Sequence, residues 1–91
     1  MAFMIVEYDL CSPGRNYDEL YEAIKSYRVN APITESTWFI KTDETCVLVR
    51  NKLMAHMDKN DRIFVASLTG SAAWHNVLCD SASLKRTLEG R

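Results

Sequence analysis

The chain has 91 residues, of which 47% are hydrophobic and 25% are charged, and its net charge is -1. A chain of this length forms one small domain, and its composition is that of a folded globular protein rather than a disordered segment. The near-zero charge excludes a protein that binds nucleic acid mainly through bulk positive charge, although a local basic patch remains compatible with it. Because so short a chain buries only about two-thirds of its unfolded surface, we expect a homodimer.

Three cysteines, Cys11, Cys46 and Cys79, lie far apart in the sequence. No pair has the C-x-x-C spacing of a zinc site or a redox dithiol, so reduced thiols in a cytoplasmic protein are the simplest interpretation. The first residues lack the basic segment of a signal peptide, and Glu7 interrupts their apolar run. No run approaches the ~20 apolar residues of a membrane span, so we expect no membrane partner.

Residues 3–10, Phe-Met-Ile-Val-Glu-Tyr-Asp-Leu, are an almost continuous apolar run of strand length. Such a run is typical of a strand at the centre of a sheet. Aspartate is depleted inside strands, so Asp9 is expected at the carboxyl edge of the sheet, where open α/β layers place ligands and metals. Asp9 is therefore the candidate catalytic residue and metal ligand. The alternative is an Asx-turn or a cap for the loop that follows.

A helix is predicted to begin at Asn16, with Glu19 three residues later, and to continue to Tyr27. Its apolar side chains recur with helical spacing, at Tyr17, Leu20, Tyr21, Ile24 and Tyr27. Residues 29–32 end this helix, because proline and the residue before it resist helical geometry. Residues 33–41 are rich in β-branched and aromatic side chains and predict one long strand, or two short strands separated near Glu35 and Ser36.

A second helix is predicted over residues 46–57 and a buried strand over residues 62–68. Residues 72–76 are expected to be a loop, residues 77–79 a short edge strand and residues 81–88 a terminal helix. Right-handed crossovers with both main helices on one face then give a ferredoxin-like α+β sandwich of βαββαβ order with one antiparallel sheet. The single domain has a core at about residues 3–70 and a C-terminal extension at about residues 71–91.

Three segments together resemble a known group of proteins. They are the first strand ending in Tyr8-Asp9-Leu10, the amphipathic helix ending near Tyr27, and Thr34-Glu35-Ser36-Thr37-Trp38-Phe39 with its mid-strand serine. This pattern resembles the CRISPR-associated small endonuclease-like family and the related virulence-associated protein D ribonucleases. The resemblance implies a homodimer in which two Asp9 side chains hold one Mg²⁺ or Mn²⁺ ion against a phosphodiester. It also implies that Ser36 occupies the position of the family's serine.

Three residues are candidates for nucleic-acid contact. Arg15 could contact phosphate at the start of the helix; the alternative is a solvated loop charge or a salt bridge to Asp18 or Glu19. Tyr17 could stack on a base, although helical spacing favours packing in the core or at a dimer contact. Ser36 has no nearby histidine to act as a base, so a strand break is the alternative to a functional serine.

Four residues are candidates for a protein interface: Trp38, Phe39, Trp74 and His75. Trp38 and Phe39 point to opposite faces of their strand, so one belongs to the core and the other is free to cover a partner. Trp74 and His75 end a loop of small residues, which is a common setting for an interface.

Three functions of different classes follow. The first is a nuclease-like homodimer that binds or cleaves nucleic acid, as a metal-dependent endonuclease or endoribonuclease, with the cation between paired Asp9 side chains. The second is a catalytically inactive dimeric module on the same fold that binds a second protein through a sheet edge or a helix face. The third is a small-ligand binder that uses the cleft of the dimer.

Overall fold

A computed structural model describes residues 2–12, 14–69 and 71–89. Its elements in chain order are β1 (Ala2–Asp9), α1 (Asp18–Lys25), β2 (Val29–Thr34), β3 (Thr37–Thr42), α2 (Cys46–Met54), β4 (Arg62–Leu68) and α3 (Ser81–Leu88). The four strands found in these residues form one open antiparallel sheet in the order β2-β3-β1-β4. The described part is thus a small α+β fold with three helices, which is compatible with the ferredoxin-like arrangement predicted from the sequence.

Strand β1 is central because both of its edges are paired. It is antiparallel to β3 over residues 2–7 and to β4 over residues 3–9. Met4, Val6 and Tyr8 are buried on one face of the sheet, and Glu7 and Asp9 are exposed on the other. This two-sided environment explains why the strand has an almost continuous apolar sequence and ends in an acid.

The main core lies between the first face of the sheet and helices α1 and α2. Its buried members are Met4, Val6, Tyr8, Tyr17, Leu20, Ile24, Trp38, Ile40, Val49 and Leu53. Helical spacing places Leu20 and Ile24 of α1 on one side of that helix. Inside this core the Trp38 indole Nε1 donates a hydrogen bond to the Tyr8 hydroxyl at 3.1 Å, which supplies a partner for both polar atoms.

The second face of the sheet is only partly covered. Phe39 is 2% exposed and Leu84 of α3 is 5% exposed, and both belong to this side rather than to the main core. One cavity of about 250 Å³ between α3 and the sheet is lined by both of them. At the carboxyl end of β1 the same face is uncovered, and four exposed side chains lie there: Glu7, Asp9, Arg62 and Phe64. We refer to these four residues as the open patch.

Two predicted helices are shorter than expected. Helix α1 ends at Lys25 and α2 ends at Met54, rather than at Tyr27 and Met57. In both places the chain continues with tighter bonds between residues three apart, such as Met57 N–H to the Met54 carbonyl at 3.1 Å. Tyr27 and Met57, the last residues of the two predicted helices, therefore lie in turns with 3₁₀-type hydrogen bonds. Helix α1 also begins two residues later than predicted, with Asn16 Oδ1 accepting from Asp18 N–H at 2.8 Å.

The middle of the chain forms two strands, so the second alternative from the sequence is confirmed. Strands β2 and β3 are separated by Glu35 and Ser36, and Thr34 is paired with Thr37 across the turn. The segment 29–32, predicted only to end the helix, belongs to β2. Pro32 is tolerated there because β2 is an edge strand, and proline, which has no backbone N–H, is confined within sheets to such positions.

The predicted edge strand at residues 77–79 is wrong, since no described element covers them. Asn76 has a φ of 55°, in the left-handed region, which breaks an extended conformation just before this segment. Within this segment the Leu78 N–H donates to the Ile33 carbonyl of β2 at 3.0 Å. The strand Arg62–Leu68 and the helix Ser81–Leu88 have the predicted bounds.

Candidate functional site

The open patch is built by strand register. Asp9 of β1 is paired with Arg62 of β4, and Glu7 is paired with Phe64. Because side chains two residues apart share one face of a strand, all four project from the second face of the sheet. Glu7 also accepts hydrogen bonds from the hydroxyls of Ser36, at 3.4 Å, and of Thr37. The turn between β2 and β3 is therefore tied to the same surface.

Asp9 is an accessible carboxylate held by one cation. Its Oδ2 accepts a hydrogen bond from Arg62 Nη1 at 2.8 Å, and the two side chains are 66% and 72% exposed. The same Arg62 nitrogen lies 3.3 Å from Cys11 Sγ. An ion pair this exposed is weak because water screens it and two mobile side chains must be ordered. Asp9 is thus available to ligands that compete with Arg62.

A groove of about 310 Å³ runs beside this ion pair. It is lined by Glu7, Tyr8, Asp9, Ser36, Arg62, Ile63 and Phe64. Two of the site residues predicted from the sequence, Asp9 and Ser36, are therefore brought together here. The groove combines hydroxyl, carboxylate, guanidinium and aromatic groups, a set that suits a polar ligand with a flat apolar part.

Arg15 and Tyr17 lie in a separate cluster that joins two loops. The Arg15 guanidinium forms an ion pair with Asp58 and donates to the His56 carbonyl at 3.2 Å. It also lies 5.3 Å from the centre of the Tyr17 ring. Tyr17 is buried, and its hydroxyl is bonded to the Asp61 carboxylate at 2.8 and 2.9 Å. Neither residue lines the groove. Tyr17 is packed in the core, as its helical spacing indicated, whereas Arg15 is paired with Asp58 rather than with Asp18 or Glu19.

Asp61 lies at the centre of the hydrogen bonds in this region. We call Asp61 and its three donors, Cys11, Tyr17 and Asp58, the loop clasp. Its carboxylate accepts from the Cys11 N–H at 2.6 Å and from the Asp58 N–H at 2.8 Å, in addition to Tyr17. Burial raises the pKa of Asp61, but these hydrogen bonds outweigh that effect and leave its pKa below the ordinary value. The clasp fixes Cys11, two residues after Asp9, and so restrains the end of β1.

The clasp gives the stability of the fold a pH dependence. Because the folded-state pKa of Asp61 is lowered, its contribution is fully present above the ordinary value of 3.8 and is lost as the pH falls through the folded-state pKa. We expect Asp61→Asn to lower the urea midpoint at neutral pH, and we expect the difference from wild type to shrink in acid. Urea titrations from about pH 7 to about pH 3 measure this difference.

Asp18→Asn is the matched control, since Asp18 is an exposed aspartate in the first turn of α1. A difference between wild type and Asp61→Asn that stays constant down to the acid limit would contradict the assigned role of the Asp61 charge.

The four predicted interface residues lie away from the groove. Trp38 and Phe39 are 9% and 2% exposed, so each is already covered by its own chain on opposite faces of the sheet. Trp74 is half-buried and lines the cavity under α3, where its Nε1 donates to Ser81 Oγ at 3.0 Å. His75 is exposed beside it. Trp74 and Phe39 thus hold the C-terminal extension against the sheet.

Two residues of the site, Arg62 and Phe64, were not identified from the sequence. The run that contains them is that of a buried strand, and Ile63 and Val65 do pack against the core. Phe64 has the opposite orientation and is 65% exposed. The sequence did contain one indication. Side chains two residues apart share one face of a strand, so Phe64 lies on the same face as the charged Arg62.

The donor set at the open patch fits a hard divalent cation in type but not in number. Asp9 and Glu7 offer carboxylate oxygens, which Mg²⁺ and Mn²⁺ prefer. Within residues 2–12, 14–69 and 71–89, no three His, Cys, Asp or Glu side chains converge.

No protein-family model matches the chain. Among the described residues, every helix is too short or too polar to cross a membrane.

Proposed function

We propose that the chain is a ferredoxin-like domain that acts as a homodimer and binds or cleaves nucleic acid, using Mg²⁺ or Mn²⁺ held between paired Asp9 side chains. The observation that supports this most directly is the position of Asp9, exposed at the carboxyl end of the central strand and beside a groove that also contains Ser36 and Arg62. Metal-dependent cleavage of labelled RNA or DNA by the wild-type protein tests the catalytic part.

The open patch also favours the homodimer. Phe64 is the most exposed of the large hydrophobic side chains in the described residues, and it lies beside the Asp9–Arg62 pair. A symmetric contact through this surface would bury Phe64 against its copy. The patch carries two acids, Glu7 and Asp9, and one base, Arg62. In the proposed dimer the two Asp9 carboxylates face each other about the dyad, and a shared cation offsets their repulsion.

The remaining groups of the groove have roles in this proposal. A bound divalent cation supplies Lewis-acid activation of water against a phosphodiester. Asp9 holds the cation, and Glu7 adds a second carboxylate from the same face of β1. Arg62 offers a guanidinium to a phosphate oxygen, and Ser36 offers a hydroxyl from the turn on the other side of the groove.

A second candidate function, the inactive protein-binding module, has its own observation. Helix α2 exposes three apolar side chains among its polar ones: Val47 is 56% exposed, Leu48 is 44% exposed and Met54 is 50% exposed. Val47 and Met54 are seven residues apart and share one helix face, whereas Leu48 is turned about 100° from Val47. Exposed apolar residues grouped in this way are typical of a partner surface.

Two matched substitutions locate the proposed dimer contact. We expect Phe64→Glu to convert the dimer to a monomer, because it places two charges in the symmetric contact, and we expect Met54→Glu on α2 to leave the dimer intact. Light scattering coupled to size-exclusion chromatography measures the mass of each variant, and circular dichroism confirms that both are folded. A dimer that resists Phe64→Glu but is lost in Met54→Glu would transfer the interface to α2. A wild-type monomer would rule out the shared metal.

A further inference from the structure

Strand β4 leaves one edge of the sheet unpaired. It stands at the end of the strand order, and no described loop forms a backbone hydrogen bond with residues 62–68. Its sequence, Arg-Ile-Phe-Val-Ala-Ser-Leu, has neither proline nor lysine, which commonly protect a free edge. The opposite edge is protected, because β2 contains Pro32, has a register shift between Pro32 and Thr34, and accepts a hydrogen bond from the Leu78 N–H.

The register of the sheet determines which backbone groups of β4 are free. The Tyr8 N–H donates to the Ser36 carbonyl at 3.0 Å, on the β3 side of β1. Backbone groups of successive residues in a strand point to alternate edges, so those of Glu7 point to β4, where its partner is Phe64. The Phe64 backbone is therefore bonded to β1.

The residues on either side of Phe64 have the opposite orientation. By the same alternation, the N–H and C=O groups of Ile63, Val65 and Ser67 point away from the sheet. They repeat every second residue over the length of the strand. Another extended backbone has its own groups at this spacing and can satisfy the whole row.

A groove on the helix side of the sheet borders this edge. Its volume is about 270 Å³, and its apolar lining comes from Met54, Met57 and Ile63. Met54 is exposed, and Val47, seven residues earlier on the same face of α2, is exposed as well. The exposed apolar face of α2 therefore lies beside the free edge of β4.

Two cations flank the groove. Lys59 lines it, and Arg50 lies one helical turn before Met54. Both are exposed, and neither forms an ion pair with another described residue. Asp58 and Asp61 also line the groove, but their carboxylates are already bonded within the chain. An acidic group on a bound segment would therefore meet unpaired positive charge.

We infer that the free edge of β4 binds an extended segment of another protein by strand addition. The backbone of this segment pairs with Ile63, Val65 and Ser67. Its alternate side chains are apolar and enter the groove beside Met54, and an acidic residue of the segment lies near Lys59. The inference does not rest on the proposed function, since neither Asp9, nor a metal, nor the dimer contact takes part in it.

Selection of a phage-displayed library of random dodecapeptides on the wild-type protein tests the inference. We expect the enriched peptides to share alternating apolar residues and an acidic residue. Their affinities are then measured by calorimetry with synthetic peptides of the selected sequences. If no peptide is enriched above background, or if the enriched peptides lack the alternation, the inference is overturned.

Ser67→Pro removes one outward N–H without removing a hydrogen bond to β1. We expect it to weaken the selected peptides about tenfold or more, since a backbone bond is lost and the proline ring obstructs the edge. Ser67→Ala is the matched control. It removes only the hydroxyl, which lies 3.5 Å from Cys46 Sγ, and is expected to remain within about twofold of wild type. Equal affinities for Ser67→Pro and Ser67→Ala, with both variants folded by circular dichroism, would rule out strand addition.

Amide hydrogen exchange measured by nuclear magnetic resonance tests the same pairing in the wild-type protein. In the free protein we expect the amides of Ile63, Val65 and Ser67 to exchange about tenfold or more faster than those of Phe64 and Ala66. A selected peptide should protect the first three. Absence of this protection would place the peptide elsewhere. Protection that is already present, and that grows with protein concentration, would assign the edge to a second copy of the chain and overturn the inference.

Discussion

Asp9→Asn is expected to lower metal-dependent cleavage of nucleic acid by about 100-fold or more. The substitution keeps the size and shape of the side chain but removes the charge that, in the proposed function, would hold a hard cation. Asp9 is exposed and lies at the end of β1, so the fold should persist. The measurement is the cleavage rate of end-labelled single-stranded RNA and DNA, each with Mg²⁺ and with Mn²⁺, for wild type and variant at equal concentration.

The control for this experiment is Asp18→Asn, which removes the same charge from the exposed start of α1. We expect its cleavage rate to equal that of wild type. Cleavage that survives in Asp9→Asn would place the active site elsewhere in the chain. If wild type and variant are equally inert, and neither retards nucleic acid at low salt, the nuclease-like function is wrong and the protein-binding module takes its place.

Leu53→Ala is expected to lower the free energy of unfolding by about 2–5 kcal/mol, the usual cost of removing a buried leucine side chain. Leu53 is 0% exposed and lies on the inner side of α2, against the core shared with β1 and β3. This cost has two parts. One is the lost free energy of burying the leucine methyl groups away from water, and the other is the cost of the cavity that the smaller side chain leaves. For a domain of this size it is a large share of a total stability of about 5–15 kcal/mol.

Leu48→Ala is the matched comparison on the same helix, because Leu48 is 44% exposed on the outer side. We expect it to cost less than about 0.5 kcal/mol in urea titrations of dilute protein. A cost for Leu48→Ala as large as that for Leu53→Ala would contradict the orientation of α2. A cost that grows with protein concentration would show that the outer side of α2 is buried against a partner.

The sequence predicted the elements whose signals are local. Strand β4 and helix α3 have the predicted bounds because turn-forming residues flank an apolar run in one case and an aspartate caps the helix in the other. The Asp80 side chain accepts from the Ser83 N–H at 3.0 Å, which fixes the start of α3. The ends of α1 and α2 were less predictable. Tyr27 and Met57 keep the helical spacing of apolar residues, although the chain there already forms the tighter turns that follow each helix.

The candidate site was predictable only in part. Asp9 follows from one strong rule, an acid at the end of an apolar strand. Arg62 and Phe64 do not, because their importance depends on which strand β1 is paired with and on the register of that pairing. The helical spacing of Tyr17 favoured core packing over base stacking, and it could not reveal that the Tyr17 hydroxyl donates to Asp61, 44 residues away.

The sequence alone determined an α+β chain, most of its helices and strands and the acid at the end of its first strand, since composition, periodicity and turn residues act over short distances along the chain. The tertiary structure alone decided that Asp9 meets Arg62, that the C-terminal extension covers one end of the second sheet face, and that Phe64 is left exposed at the other. These outcomes depend on contacts between residues far apart in sequence. Strand register sets such contacts, and a shift of one residue would turn each side chain to the opposite face.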